Sequence, residues 1–142
     1  MKKEKSCGAV IYTHTPDGAL LYLVQQMSLG HLSLCKGHVE GTETETETAQ
    51  REIGEETSLE VTIDTGFRHV VTYSPNPGIM KDVVFFVAES KTPSAPVDRH
   101  DGEVASETWL PFAKAVAALT YKTDKETLFL ADSYIRKKEA AK

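Results

Sequence analysis

The chain predicts an α+β fold, a mixed β-sheet with helices on both faces. Three observations predict it. Short apolar runs rich in β-branched residues, bounded by turn residues, read as strands at 7–12, 19–25 and 82–88. Two other segments carry helical spacing, with Ala49 and Ile53 on one stripe and Leu128, Ala131 and Ile135 on another. The two kinds of segment follow no strict β-α-β rhythm, which favours a mixed sheet over a wholly parallel one.

The elements follow in order. Residues 7–12 and 19–25 flank Pro16-Asp17-Gly18, a turn signal, and read as a hairpin. Residues 27–34 read as a connecting loop, and 36–39 continue it. The run 42–48 alternates threonine with glutamate. As a strand it would have nothing to bury, so it reads as loop passing into helix. A threonine caps the start, and glutamates favour the first turn through the helix dipole.

Residues 59–63 alternate apolar and polar and read as a strand, and 67–73 as another. Residues 74–78 form a turn. The nearly continuous apolar run 82–88 predicts a central strand covered on both faces. Residues 92–102, with Pro93, Pro96 and Gly102, read as an exposed loop. A short strand end at 108–111 and a short helix at 112–119 follow. Thr123-Asp124-Lys125-Glu126 matches a capping box that opens the final helix.

The length, 142 residues, predicts one domain over 1–142. The net charge of −5 argues against general nucleic-acid binding, which needs a basic face. Two cysteines, Cys7 and Cys35, are too few for a disulfide framework and read as buried thiols. No secretory h-region follows the charged start, and no run approaches the ~20 apolar residues of a membrane span. A cytoplasmic protein with no membrane partner is expected.

Most of the chemistry is concentrated in Arg51-Glu52-Ile53-Gly54-Glu55-Glu56. On a helix, Glu52, Glu55 and Glu56 share a face, where little beyond Arg51 neutralises them. A divalent cation explains the arrangement. Carboxylates favour hard ions, and Mg²⁺ commonly takes one or two of them together with waters and phosphate oxygens. The expected cofactor is Mg²⁺, with Mn²⁺ as the other candidate, and the expected partner is a phosphate-bearing substrate. Gly37 lies upstream as expected of a tight loop near a ligand, and Glu43 is placed to pair with Arg51.

The order Gly37, five residues, Glu43, seven residues, Arg51-Glu52-Ile53, one residue, Glu55-Glu56, one residue, Ser58-Leu59 resembles the Nudix box. Every charged position matches. Ser58 departs from the box, which has glycine there. The resemblance implies an α/β/α sandwich around a mixed sheet, and a metal-dependent pyrophosphohydrolase. It implies that Glu52 and Glu56 bind the metal, that Glu55 binds a further ion or orients a water, and that the Gly37 carbonyl completes the shell. It also implies one acid from outside the box. Glu103 is preferred as both catalyst and ligand, with Glu107 as the other candidate.

Among substrate contacts, Lys36, Lys81 and His31 are candidates for the phosphates and Tyr73 for stacking on a base. Lys36-Gly37-His38-Val39-Glu40 is similar to the asymmetrical diadenosine tetraphosphate hydrolase type, which cuts a dinucleoside polyphosphate to ATP and AMP. That group carries a tryptophan and prolines where this chain has Leu32-Ser33-Leu34-Cys35. Oxidised nucleoside triphosphates, ADP-ribose, RNA 5′ ends and inositol pyrophosphates are the other substrate classes. A non-catalytic nucleotide sensor is the remaining alternative, although it would have no need of all three glutamates.

Overall fold

A computed structural model describes residues 2–91 and 104–142. Its elements are β1 (Lys2–His14), β2 (Leu20–Met27), β3 (Leu32–Ser33), β4 (Cys35–His38), α1 (Glu45–Thr57), β5 (Val61–Tyr73), β6 (Ile79–Ser90), β7 (Val104–Leu110), α2 (Phe112–Ala118) and α3 (Lys122–Ala140). The strands form one sheet in the order β3-β2-β1-β6-β5, with β4 also on β1 and β7 also on β2. β1 and β6 run parallel and the other pairs antiparallel, so the sheet is mixed as expected. The first hairpin forms where Gly18, at φ 89°, donates its N–H to the Thr15 carbonyl.

Successive strand residues face opposite sides, and this divides the core in two. On one face Val10, Tyr22, Val83 and Phe85 pack against Ala115 of α2 and against Leu128, Ala131 and Ile135 of α3. On the other face Cys7, Ala9, Val84 and Phe86 pack against Ala49 and Ile53 of α1. β6 is buried on both sides, as its continuous apolar run predicts. The two apolar stripes read from the sequence are the faces that α1 and α3 turn to the sheet. No helix among the described residues is long and apolar enough to cross a membrane.

Several local expectations are corrected. The loop expected at 27–34 is interrupted by β3, which pairs Ser33 with Gln25. Residues 36–39 belong mostly to β4, where Lys36 lies opposite Gly8 of β1. Both short strands are held by long-range backbone hydrogen bonds, which leave no local pattern. The strands expected at 59–63 and 67–73 are one strand, β5, whose register against β6 shifts between Asp64 and His69. There Asp64 accepts from the Gly66 N–H at 2.9 Å, so the polar break bends the strand without ending it. The capping box at Thr123 does not form. Tyr121 is the N-cap, Thr123 lies in the first turn with its carbonyl accepting from Thr127, and Asp124 turns inward. The loop expected at 92–102, and Glu103 with it, lies outside the described residues.

Candidate active site

The threonine–glutamate run enters α1 through a capping box. Thr44 Oγ1 accepts from the Glu47 N–H at 3.2 Å, and the Glu47 carboxylate accepts from the Thr44 N–H at 2.8 Å. Glu45, in the first turn, receives Lys5 and Arg68, each at 2.8 Å. The helix ends at Ser58, which adopts φ 57°, the left-handed conformation for which the family pattern carries glycine.

Arg51 organises the acids beside it. Its Nε donates to Glu43 at 2.7 Å, the pair expected from the sequence, and its Nη2 donates to the His38 carbonyl at 2.9 Å. Arg51 thus ties the end of β4 to the helix, and it holds the Glu43 carboxyl down at about 2. Its Nη1 also reaches Glu52 at 2.9 Å and Glu55 at 3.3 Å. The three acids of this helix are unequally placed. Glu55 lies on the exposed flank, Glu52 is half-buried and Glu56 is 3% exposed. Glu56 Oε1 accepts from Gln25 Nε2 and from the Cys35 thiol, both at 3.2 Å. Gln25 also donates to Glu107 of β7 at 3.1 Å, which brings that acid alongside Glu56.

β4 connects this helix to the rest of the site. Cys35 and Gly37 face α1, and Lys36 faces the opposite side of the sheet. Gly37 sits in a strand and not in a tight loop. A Cβ there would lie 1.9 Å from the Glu52 carboxyl carbon, so any larger residue would displace that carboxylate. The Gly37 backbone and the Glu52 carboxylate are therefore in close contact. Burial pushes the Glu52 carboxyl above its usual range against the opposing pull of Arg51. A cation beside it would offset that cost.

Among the described residues no three His, Cys, Asp or Glu side chains converge as a ready metal cage. In this arrangement Arg51 engages Glu52 and Glu55, while Gln25 and Cys35 engage Glu56. Mg²⁺ needs only one or two protein carboxylates beside waters and substrate oxygens. The all-oxygen set of Glu52, Glu56 and the Gly37 carbonyl fits that requirement.

On the Lys36 side lies a cavity of about 440 Å³, lined by His31, Lys36, Tyr73, Val83, Phe85, Tyr121 and Asp124 among others. His31 and Tyr121 are in ring contact, with centroids 5.6 Å apart. Tyr73 and Tyr121 are 40% and 52% exposed, so both rings offer free surface to a ligand. Lys81 is buried on β6 directly across from Tyr73 and points to the same sheet face as Val83 and Phe85. The structure thus gathers His31, Lys36 and Tyr73 in the cavity, with Lys81 paired beside it.

The family described as NUDIX domain matches residues 5–131, nearly the whole chain. The chain belongs to the NUDIX domain family. A mouse relative, bis(5'-nucleosyl)-tetraphosphatase (asymmetrical), is 31% identical over 134 residues, covering 87% of this chain and 90% of that protein. The crystal structure of a C. elegans Ap4A hydrolase binary complex aligns with a TM-score of 0.84 at 25% identity, over 94% of this chain and 98% of that one. The NUDIX domain of Shewanella oneidensis NrtR, complexed with ADP ribose, shares the fold at a TM-score of 0.76 and 16% identity, over 95% and 90% of the two chains.

Sequence reasoning did not place Gln25, Tyr121 or Asp124 in this candidate site, and it read Cys35 only as a buried thiol, which it is. Gln25 lies in an apolar strand, where a lone buried glutamine was the available signal. Tyr121 falls between the two helices expected at 112–119 and from Thr123, and Asp124 reads from the sequence as part of a capping box. Burial pushes the Asp124 carboxyl up to about 6 from the usual 3.8, against the opposing charge of Lys36 and a hydrogen bond from the Leu34 backbone. The sign follows. Below pH 3.8 the group costs nothing, and between 3.8 and about 6 the unfolded chain ionises while the folded one resists. Asp124 therefore lowers stability at neutral pH. Asp124→Asn is expected to be more stable than the parent at pH 8, by up to about 3 kcal/mol, and equal to it near pH 4. Denaturant melts at the two pH values check this, and a gain that does not vary with pH would refute it.

Proposed function

We propose that this Nudix hydrolase cleaves diadenosine tetraphosphate asymmetrically, to ATP and AMP, using Mg²⁺ or Mn²⁺, within a single domain spanning 1–142. The activity named for the mouse relative at 31% identity supports the substrate most directly. The alternation of β4 supports the geometry, since it sets Lys36 in an aromatic cavity and Gly37 against Glu52 of α1.

In this reading Glu52, Glu56 and the Gly37 carbonyl hold the ion, and Glu55 stands on its exposed flank. Glu103 or Glu107 supplies the acid from outside the box, and Glu107 has Gln25 to orient it. The chemistry supplied by a bound divalent ion is neutralisation of phosphate charge and activation of water. Lys36, Lys81 and His31 bind the polyphosphate, and Tyr73 and Tyr121 bind one adenine. Because the base cavity and the acids of α1 are fixed to the same sheet, water attacks at a set distance from the gripped base. The cut falls off-centre.

Digestion with Mg²⁺ and chromatography of the products test this. ATP and AMP are expected, and ADP as the main product would refute the asymmetric cut. Indifference to the dinucleotide, with fast turnover of ADP-ribose, an oxidised nucleoside triphosphate, an RNA 5′ end or an inositol pyrophosphate, would transfer the assignment to that substrate. Tyr73→Ala is expected to raise KM about tenfold with kcat little changed, because stacking contributes equally to ground and transition states.

A further inference from the structure

Asp124 is an acid in a place where the polyphosphate reading gives it no task. It is 7% exposed, yet it lines the cavity together with Lys36, Tyr73 and Tyr121. Among the described residues it is the one acid that lines this cavity. A carboxylate repels phosphate, and an ionised one only accepts hydrogen bonds. The Leu34 backbone N–H supplies one donor from the protein side. A ligand seated over Val83 and Phe85 meets the rest of the group.

We propose that Asp124 selects the nucleobase by accepting a hydrogen bond from an exocyclic amino group of the base held beside Tyr73 and Tyr121. The chemistry sorts the two ends of a nucleotide. Phosphate is drawn to Lys36, and an amino edge is drawn to Asp124. Adenine and guanine each carry such an amine. Hypoxanthine replaces the adenine amine with a carbonyl oxygen, which a carboxylate repels. Above about pH 6 the group is mainly ionised, as this role requires.

The proposal rests on the cavity being the base site of the function proposed above. Its test therefore measures binding without turnover. AMP, GMP and IMP are titrated into the metal-free protein and followed by NMR. AMP or GMP is expected to bind about 10-fold or more tightly than IMP, the scale of a hydrogen bond to a charged acceptor. Asp124→Leu should bring the ratio to within about twofold by weakening the amine-bearing ligand. Should Asp124→Leu not fold, Asp124→Asn serves, since its amide donates to the hypoxanthine oxygen and should also narrow the ratio. Equal binding of all three ligands by the parent, no binding of any, or an unchanged ratio in the variant would overturn the proposal. Cleavage of diadenosine tetraphosphate with no base preference would sink this inference and leave the hydrolase reading standing. An amine preference without cleavage would do the reverse.

Discussion

Glu56→Gln is expected to lower kcat by about 10²-fold or more, equivalent to about 3 kcal/mol of barrier, with no loss of stability. The substitution keeps the volume and one acceptor oxygen. The hydrogen bonds that Oε1 receives from Gln25 and Cys35 can therefore persist. What it removes is the negative charge of a group 3% exposed, in contact with a thiol that burial and Glu56 itself hold protonated. Relief of a buried charge cannot weaken the fold much, so lost activity would report on the ion rather than on unfolding. Steady-state turnover, thermal melts and a Mg²⁺ titration separate the two. Near-parental turnover at saturating Mg²⁺ would remove Glu56 from the metal site.

Gly37→Ala is the second large effect. The new methyl would lie 1.9 Å from the Glu52 carboxyl carbon and 2.2 Å from each of its oxygens. Those atoms are the end of a flexible side chain, and Gly37 does not hold the left-handed backbone that would penalise alanine. The fold can therefore accept the change by displacing the carboxylate, which costs Glu52 its place beside the Gly37 backbone and disturbs its 2.9 Å pair with Arg51. A misplacement of about 1 Å at such a site costs about 10²-fold in rate. The expected result is a kcat lower by that order, weaker Mg²⁺ activation, and a melting temperature within a few degrees of the parent. Gly54→Ala is the control. That position has open space around it and lies within α1, so alanine should add up to about 1 kcal/mol of stability and leave activity intact. A Gly37→Ala enzyme as active as the Gly54→Ala one would mean that Glu52 need not touch Gly37.

The grouping of Glu43, Arg51, Glu52, Glu55 and Glu56 was legible because these residues interact through local geometry. Helical repeat brings the acids near Arg51, and a short loop brings Glu43 back to it. The cap at Thr44 and the buried stripes of α1 and α3 are local for the same reason. β3 and β4 were read as loop because four residues or fewer carry no usable period. Their backbone partners lie elsewhere in the chain, Gly8 opposite Lys36 and Gln25 opposite Ser33. The spacing of the box carries no information on how deeply each acid is buried. Packing made them unequal, with Glu55 on the surface and Glu56 against Gln25 and Cys35.

By itself, then, the sequence determined the class of fold, the helix that carries the acids, its cap, and the Arg51–Glu43 pair. All of these depend on residues within about two turns of helix or one short loop of each other. Only the tertiary structure decided that Lys36 and Gly37, adjacent in the chain, serve opposite faces of the sheet. The structure alone also joined Tyr73 of β5 to Tyr121 and Asp124 at the start of α3. Those groupings are set by strand pairing and by burial of the two cores, which bring together residues dozens of positions apart. No local propensity records energies of that kind.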